Sequence, residues 1–128
     1  MTNQINNMED EEIRLERKTA IYICPDFNDS RTYNLERQEE TLKEFARTKG
    51  YGIEKILIDE EDNMVFKDRK GLQKLINLIL EQKINTVVVY RKTNISNFSN
   101  TLKMFEFLCQ RRSCEIIEYK EWLNWKIG

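Results

Sequence analysis

The sequence predicts an α/β fold: three layers, αβα, built on a mostly parallel sheet of four to five strands. Three observations predict it. Short apolar runs rich in β-branched and aromatic residues recur at residues 19–24, 53–59, 86–90 and 114–119. Longer segments with apolar residues at helical spacing separate them. Strands alternating with helices in this way favour parallel pairing through right-handed crossovers, with helices on both faces of the sheet.

Residues 1–18 carry too few apolar side chains to bury a face and read as a polar N-terminal tail, leaving 19–128 as one domain. The run Thr19-Ala-Ile-Tyr-Ile-Cys24 is a buried first strand, stopped by Pro25 and the polar stretch that follows. Asn34 is placed to cap a first helix that carries Leu35, Leu42, Phe45 and Ala46 on one face and closes at Gly50. A second strand over 53–59 and a polar loop over 60–68 follow. Leu72, Leu75, Ile76, Ile79 and Leu80 then recur at helical spacing up to Lys83. Thr86-Val-Val-Val-Tyr90 is a continuously apolar strand, as a strand covered on both faces should be. After a loop over 91–98, Ser99 is expected to cap a third helix bearing Leu102, Phe105, Phe107 and Leu108, before the last strand. Ligands in such folds collect beyond the carboxyl ends of the strands, so the loops 25–33, 60–68 and 91–98 are the functional ones.

Composition narrows the function. In 128 residues, 21 basic side chains face 22 acidic ones, a net charge of -1, so a surface that binds nucleic acid mainly through phosphate charge is excluded and any DNA contact must be local. The chain has no histidine, which removes imidazole general bases and metal ligands. Its three cysteines, Cys24, Cys109 and Cys114, form no C-x-x-C pair. With no membrane span and no signal-like segment, the expected location is the cytoplasm, with reduced thiols.

Four stretches carry a resemblance: Ala20-Ile-Tyr-Ile23, Leu35-Glu-Arg-Gln38, Asp68-Arg-Lys-Gly-Leu72 and Thr86-Val-Val-Val89. In that order they resemble the catalytic domain of serine recombinases of the resolvase and invertase family, over residues 19–119. The resemblance implies that fold, a role in DNA recombination and an origin in a mobile element. It also implies a degenerate site. In the family the first strand runs into Y-x-R-x-S, whose serine attacks a DNA phosphodiester; the corresponding places here hold Cys24 for the arginine and Asp26 for the nucleophile. The family's D-R-x-x-R after the third strand is matched by Thr93, Asn94 and Asn97. Arg69 keeps an active-site arginine place and Gln38 a pocket-lining one, and these two with Ser30 are the candidates to bind phosphate or DNA.

Phosphoryl transfer rests on positioning and on cancelling phosphate charge, and one lost preorganised donor costs roughly 3 kcal/mol. A chain lacking the nucleophile and several arginines is therefore expected to be a pseudoenzyme, kept as a regulatory module that contacts a protein, an active recombinase or DNA. Two alternatives stay open. A phosphate-directed enzyme, Mg²⁺-dependent or receiver-like, would reuse Asp26 and Arg69; Asp29, Asp59, Glu60, Glu61 and Asp62 are the candidate acidic ligands and Lys92 the receiver-like cation, although a solvated acidic loop is the commoner meaning. Ser30 would stand in as nucleophile for residual nuclease or recombinase activity. Trp122 and Trp125, near the chain end, either cap the core or offer an interface. No cofactor is otherwise implied, and the oligomeric state is left open.

Overall fold

The structure is a computed structural model that describes residues 16–26, 29–61 and 68–127, with backbone alone at 126 and 127. The expected tail lies outside the described residues over 1–15. Its last residues belong to the fold: Lys18 opens the first strand, and the Arg17 carbonyl accepts a 3.1 Å hydrogen bond from the Gly52 amide.

Four strands, β1 (Lys18–Ile23), β2 (Gly52–Ile58), β3 (Thr86–Val89) and β4 (Glu115–Glu118), form one sheet in the order β2-β1-β3-β4, every pair parallel. The described helices are α1 (Leu35–Thr48), α2 (Lys70–Leu80), α3 (Ser99–Arg111) and α4 (Tyr119–Ile127). Alternation along β1 sorts the core into two layers. Ile21 and Ile23 pack with Leu42, Phe45 and Ala46 of α1 and with Tyr119 and Trp122 of α4. Ala20, Tyr22 and Cys24 pack with Leu72, Leu75 and Ile79 of α2 and with Phe105 and Cys109 of α3.

One local expectation is corrected, and one segment without a clear sequence signal proves helical. Phe98, not Ser99, occupies the position before α3, and no side chain caps that helix because phenylalanine carries no acceptor; the Phe98 amide itself donates to the Ser96 hydroxyl at 3.1 Å. The last residues, whose apolar spacing matched no helix, form α4: Trp122 docks on Phe45, ring centroids 5.0 Å apart, and tertiary packing decides where periodicity is weak.

The other helix ends follow the sequence closely. Asn34 caps α1 by accepting from the Arg37 amide at 3.0 Å. Helices α1, α2 and α3 all end in the same backbone motif, in which an amide reaches the carbonyl five residues earlier: Tyr51 to Ala46, Lys83 to Leu78 and Cys114 to Cys109. The motif needs a left-handed residue, supplied by Gly50, Gln82 and Ser113 with φ of 75°, 55° and 55°. Helix α2 starts differently. Its cap comes from the end of β2, where the Asp59 carboxylate accepts from the Gly71 and Leu72 amides, each at 2.8 Å. A Cβ on Gly71 would stand 2.9 Å from that carboxylate.

Two stability outcomes follow. Gln82→Gly removes the strain of a left-handed side-chain-bearing residue and should raise stability by about 1 kcal/mol in urea unfolding. Gly71→Ala should lower it by about 2 kcal/mol, because the new methyl group pushes away the carboxylate that caps α2; an unchanged midpoint would contradict the cap.

Candidate functional site

The chain leaves β1 to form β2 on one side and returns to form β3 on the other, so the strand order reverses between β1 and β3. In an open parallel sheet that reversal opens a crevice at the carboxyl ends of the two strands, where ligands bind. Cys24, Pro25 and Asp26 leave β1 at this point, and 91–98 leaves β3 beside them. The crevice here is filled by its own side chains.

The Thr93 hydroxyl donates to Asp26 Oδ2 at 2.5 Å. The Asn94 side-chain amide donates to the Cys24 carbonyl at 2.5 Å, and Asn94 Oδ1 accepts from the Arg91 amide at 2.8 Å. Gln38 reaches in from α1: its Nε2 donates to the Thr32 carbonyl at 2.9 Å, and its Oε1 lies 3.4 Å from the Cys24 amide. The Asp26 amide donates to the Thr32 hydroxyl at 2.7 Å. Cys24, Asp26, Gln38 and Asn94 are all buried, whereas Asn97 is exposed.

Arg69 is the largest fully buried side chain, 2% exposed, and lies beneath the crevice rather than in it. Its Nη1 donates to the Ile95 carbonyl at 2.6 Å, and its Nη2 to the Asn94 carbonyl at 2.6 Å and the Tyr22 hydroxyl at 2.7 Å. The Tyr22 hydroxyl in turn donates to Asp59 Oδ2 at 2.6 Å. Burial pushes the Tyr22 phenol far above its ordinary range, so it stays a neutral donor, although the Arg69 guanidinium pulls the other way. One continuous chain of polar contacts therefore joins the start of α2, the middle of β1, the end of β2 and the loop after β3.

The remaining charges near the crevice are engaged with one another. Arg31 grips Asp29 through Nε and Nη2 at 2.8 and 2.9 Å, and Arg91 Nε meets the same carboxylate at 2.9 Å. Hydrogen bonding from Arg31 holds the Asp29 carboxyl below its usual range. Lys92 Nζ sits 3.0 Å from Glu106 on α3. Asp59, expected in a solvated acidic loop, is buried as the α2 cap, while Glu60 and Glu61 are exposed and Asp62 lies outside the described residues. Among the described residues no three carboxylates or thiols come close enough together to hold a metal ion.

An open cleft of about 520 Å³ lies next to the crevice, between the start of α1 and α4. Ser30, Arg31, Arg37, Gln38, Tyr90 and Tyr119 line it, and Ser30 is exposed to it. The two tryptophans separate: Trp122 is packed on Phe45 and Tyr119, whereas Trp125 is 79% exposed. Among the described residues no helix is long and apolar enough to cross a membrane.

Sequence reasoning located Cys24, Asp26, Gln38, Thr93 and Asn94, and the fold brings all five together. It missed Tyr22, and named Asp59 as a candidate acidic ligand rather than as the cap of α2. The signal for Asp59 was the glycine at 71, small enough to admit a carboxylate at the start of a helix; Tyr22 sat unmarked in an apolar strand.

Comparison with known proteins gives a consistent result. The family model described as "Resolvase, N terminal domain" matches residues 28–125. Among solved structures, the C-terminal catalytic domain of ISC1926 TnpA, an IS607-like serine recombinase, is 26% identical, with a TM-score of 0.68 over 80% of this chain and 70% of that one. The N-terminal catalytic domain of TP901-1 integrase is 22% identical, with a TM-score of 0.70 over 82% of this chain and 78% of that one. A serine recombinase from Sulfolobus solfataricus is 24% identical, with a TM-score of 0.65 over 82% and 69%. These last two likenesses are of fold alone. No curated protein matches the chain significantly. With a family model covering most of its length and the fold of a serine recombinase catalytic domain, the chain belongs to the resolvase N-terminal domain family of serine recombinases.

Proposed function

We propose that this domain no longer exchanges DNA strands and serves as a regulatory or interaction module, contacting an active recombinase, another protein or a local stretch of DNA. One observation carries the reading: the crevice at the strand-order reversal is occupied by the pairs Thr93–Asp26 and Asn94–Cys24, with Asp26 in the place the resemblance assigns to the nucleophile. A carboxylate can accept a phosphoryl group, but the acyl phosphate hydrolyses readily and would not hold a strand for religation. A phosphate entering the crevice would meet a carboxylate, and Arg69 beneath it is committed to two backbone carbonyls. The exposed Trp125 on α4 is the leading contact for a partner.

A second reading rests on the open cleft, where Ser30 is exposed beside Arg31 and Arg37. This places a hydroxyl and two cations within one concave surface, so a weak nuclease or recombinase activity would run through Ser30.

Incubation with supercoiled plasmid should give neither relaxation nor a covalent protein–DNA adduct, with or without Mg²⁺; relaxation that disappears in Ser30→Ala would replace the first reading with the second. Thermal shift with inorganic phosphate and Mg²⁺ should leave the Tm unchanged; a rise would point to phosphate chemistry in the crevice. Arg69→Ala should cost about 3 kcal/mol in urea unfolding, because two buried carbonyls and the Tyr22 hydroxyl lose their donor. A variant of wild-type stability that lost phosphate or DNA binding would instead make Arg69 a ligand residue.

A further inference from the structure

The end of α3 places two thiols side by side. The Cys114 amide donates to the Cys109 carbonyl at 2.8 Å and the Ser113 amide to the Gln110 carbonyl at 3.3 Å, around the left-handed Ser113. In this helix-ending motif the residue one beyond the left-handed position packs against the residue five earlier, and here both are cysteine. With standard bond lengths and an angle of about 120° at the carbonyl carbon, the two Cα atoms on either side of the 2.8 Å contact lie no more than about 6.7 Å apart. Disulfides are built on Cα separations of roughly 4.4 to 6.8 Å.

We propose that Cys109 and Cys114 are a modification site, a dithiol that closes to an intramolecular disulfide across the α3–β4 turn when it meets a low-molecular-weight disulfide.

The surroundings assign the two sulfurs different parts. Cys109 is 1% exposed and Cys114 6%, at the edge of the core beside the exposed turn 111–113. The thiols hydrogen-bond to each other, which pushes the Cys109 thiol up and lowers Cys114, so the thiolate forms first at Cys114. Cys114 Sγ attacks one sulfur of the small disulfide, breaking its S–S bond and expelling one small thiolate, which takes the Cys109 proton. Cys109 Sγ then attacks the Cys114 sulfur of the mixed disulfide and releases the second small thiolate. Two protein thiols are oxidised and one disulfide is reduced.

The third cysteine does not compete within the chain. Thr19 pairs with Thr86 and Thr86 with Glu115, so Cys114 sits level with the start of β1, whereas Cys24 lies beyond its end. Roughly six residues of strand, about 20 Å, separate them.

The sequence supplies a direct readout, because Arg111 and Arg112 lie between the two cysteines and trypsin cuts after each. The full chain is incubated with oxidised glutathione, alkylated and digested. The expected product is a chain lighter by two hydrogens whose two cysteine peptides stay joined until reduction, unchanged in Cys24→Ser and absent in Cys114→Ser. Three outcomes would overturn the proposal: both thiols still alkylated as in the untreated protein, a stable glutathione adduct on one of them, or a cross-link that includes Cys24 or a second chain.

Discussion

A guanidinium inside a protein must find acceptors for its donors or it destabilises the fold, and Arg69 finds them on two separate segments, the loop after β3 and the central strand β1. Its position just before α2 fixes where that helix begins, its contacts with the Asn94 and Ile95 carbonyls fix the loop leaving β3, and its contact with Tyr22 ties both to the central strand. Tyr22 passes the connection to Asp59, which caps the same helix. The ends of three strands are thereby held in one geometry by a single cation. The loops around the crevice inherit their shape from this buried centre rather than from local turn chemistry.

Much of the architecture was legible in the sequence because the physics that sets it is local or periodic. Thr86-Val-Val-Val89 is apolar on both sides because β3 is covered on both sides, and Asn34 caps α1 through a bond three residues away. Helix α4 was not legible because Trp122, Leu123 and Trp125 make no clean stripe; it is held by Tyr119 and Trp122 against Phe45. The acidic end of β2 was misread for a related reason. Asp59 acts on amides 12 and 13 residues away, across a loop, and nothing in its own neighbourhood distinguishes a capping carboxylate from a solvated one.

The site divides in the same way. Its location follows from topology, since the strand order reverses between β1 and β3 and the resemblance places its departures there. Its internal pairing was hidden: Thr93 and Asp26 are 67 positions apart, Asn94 and Cys24 70. Each departure looked like a separate loss when read along the chain. In three dimensions they are two matched pairs, so the crevice is a satisfied polar interior rather than an eroded pocket.

The contact between the Asn94 carbonyl and Arg69 has a consequence for how this domain changes over time. An arginine at position 94 by itself would bring a second guanidinium beside the first in a buried space and would remove the side-chain amide that donates to the Cys24 carbonyl at 2.5 Å. An arginine at position 24 meets the same cation, which already lies 3.4 Å from the Cys24 sulfur. Either substitution alone sets a new guanidinium against the buried one, so the polar interior acts as a ratchet: single substitutions can drift around it, but arginines at positions 24 and 94 require several changes at once.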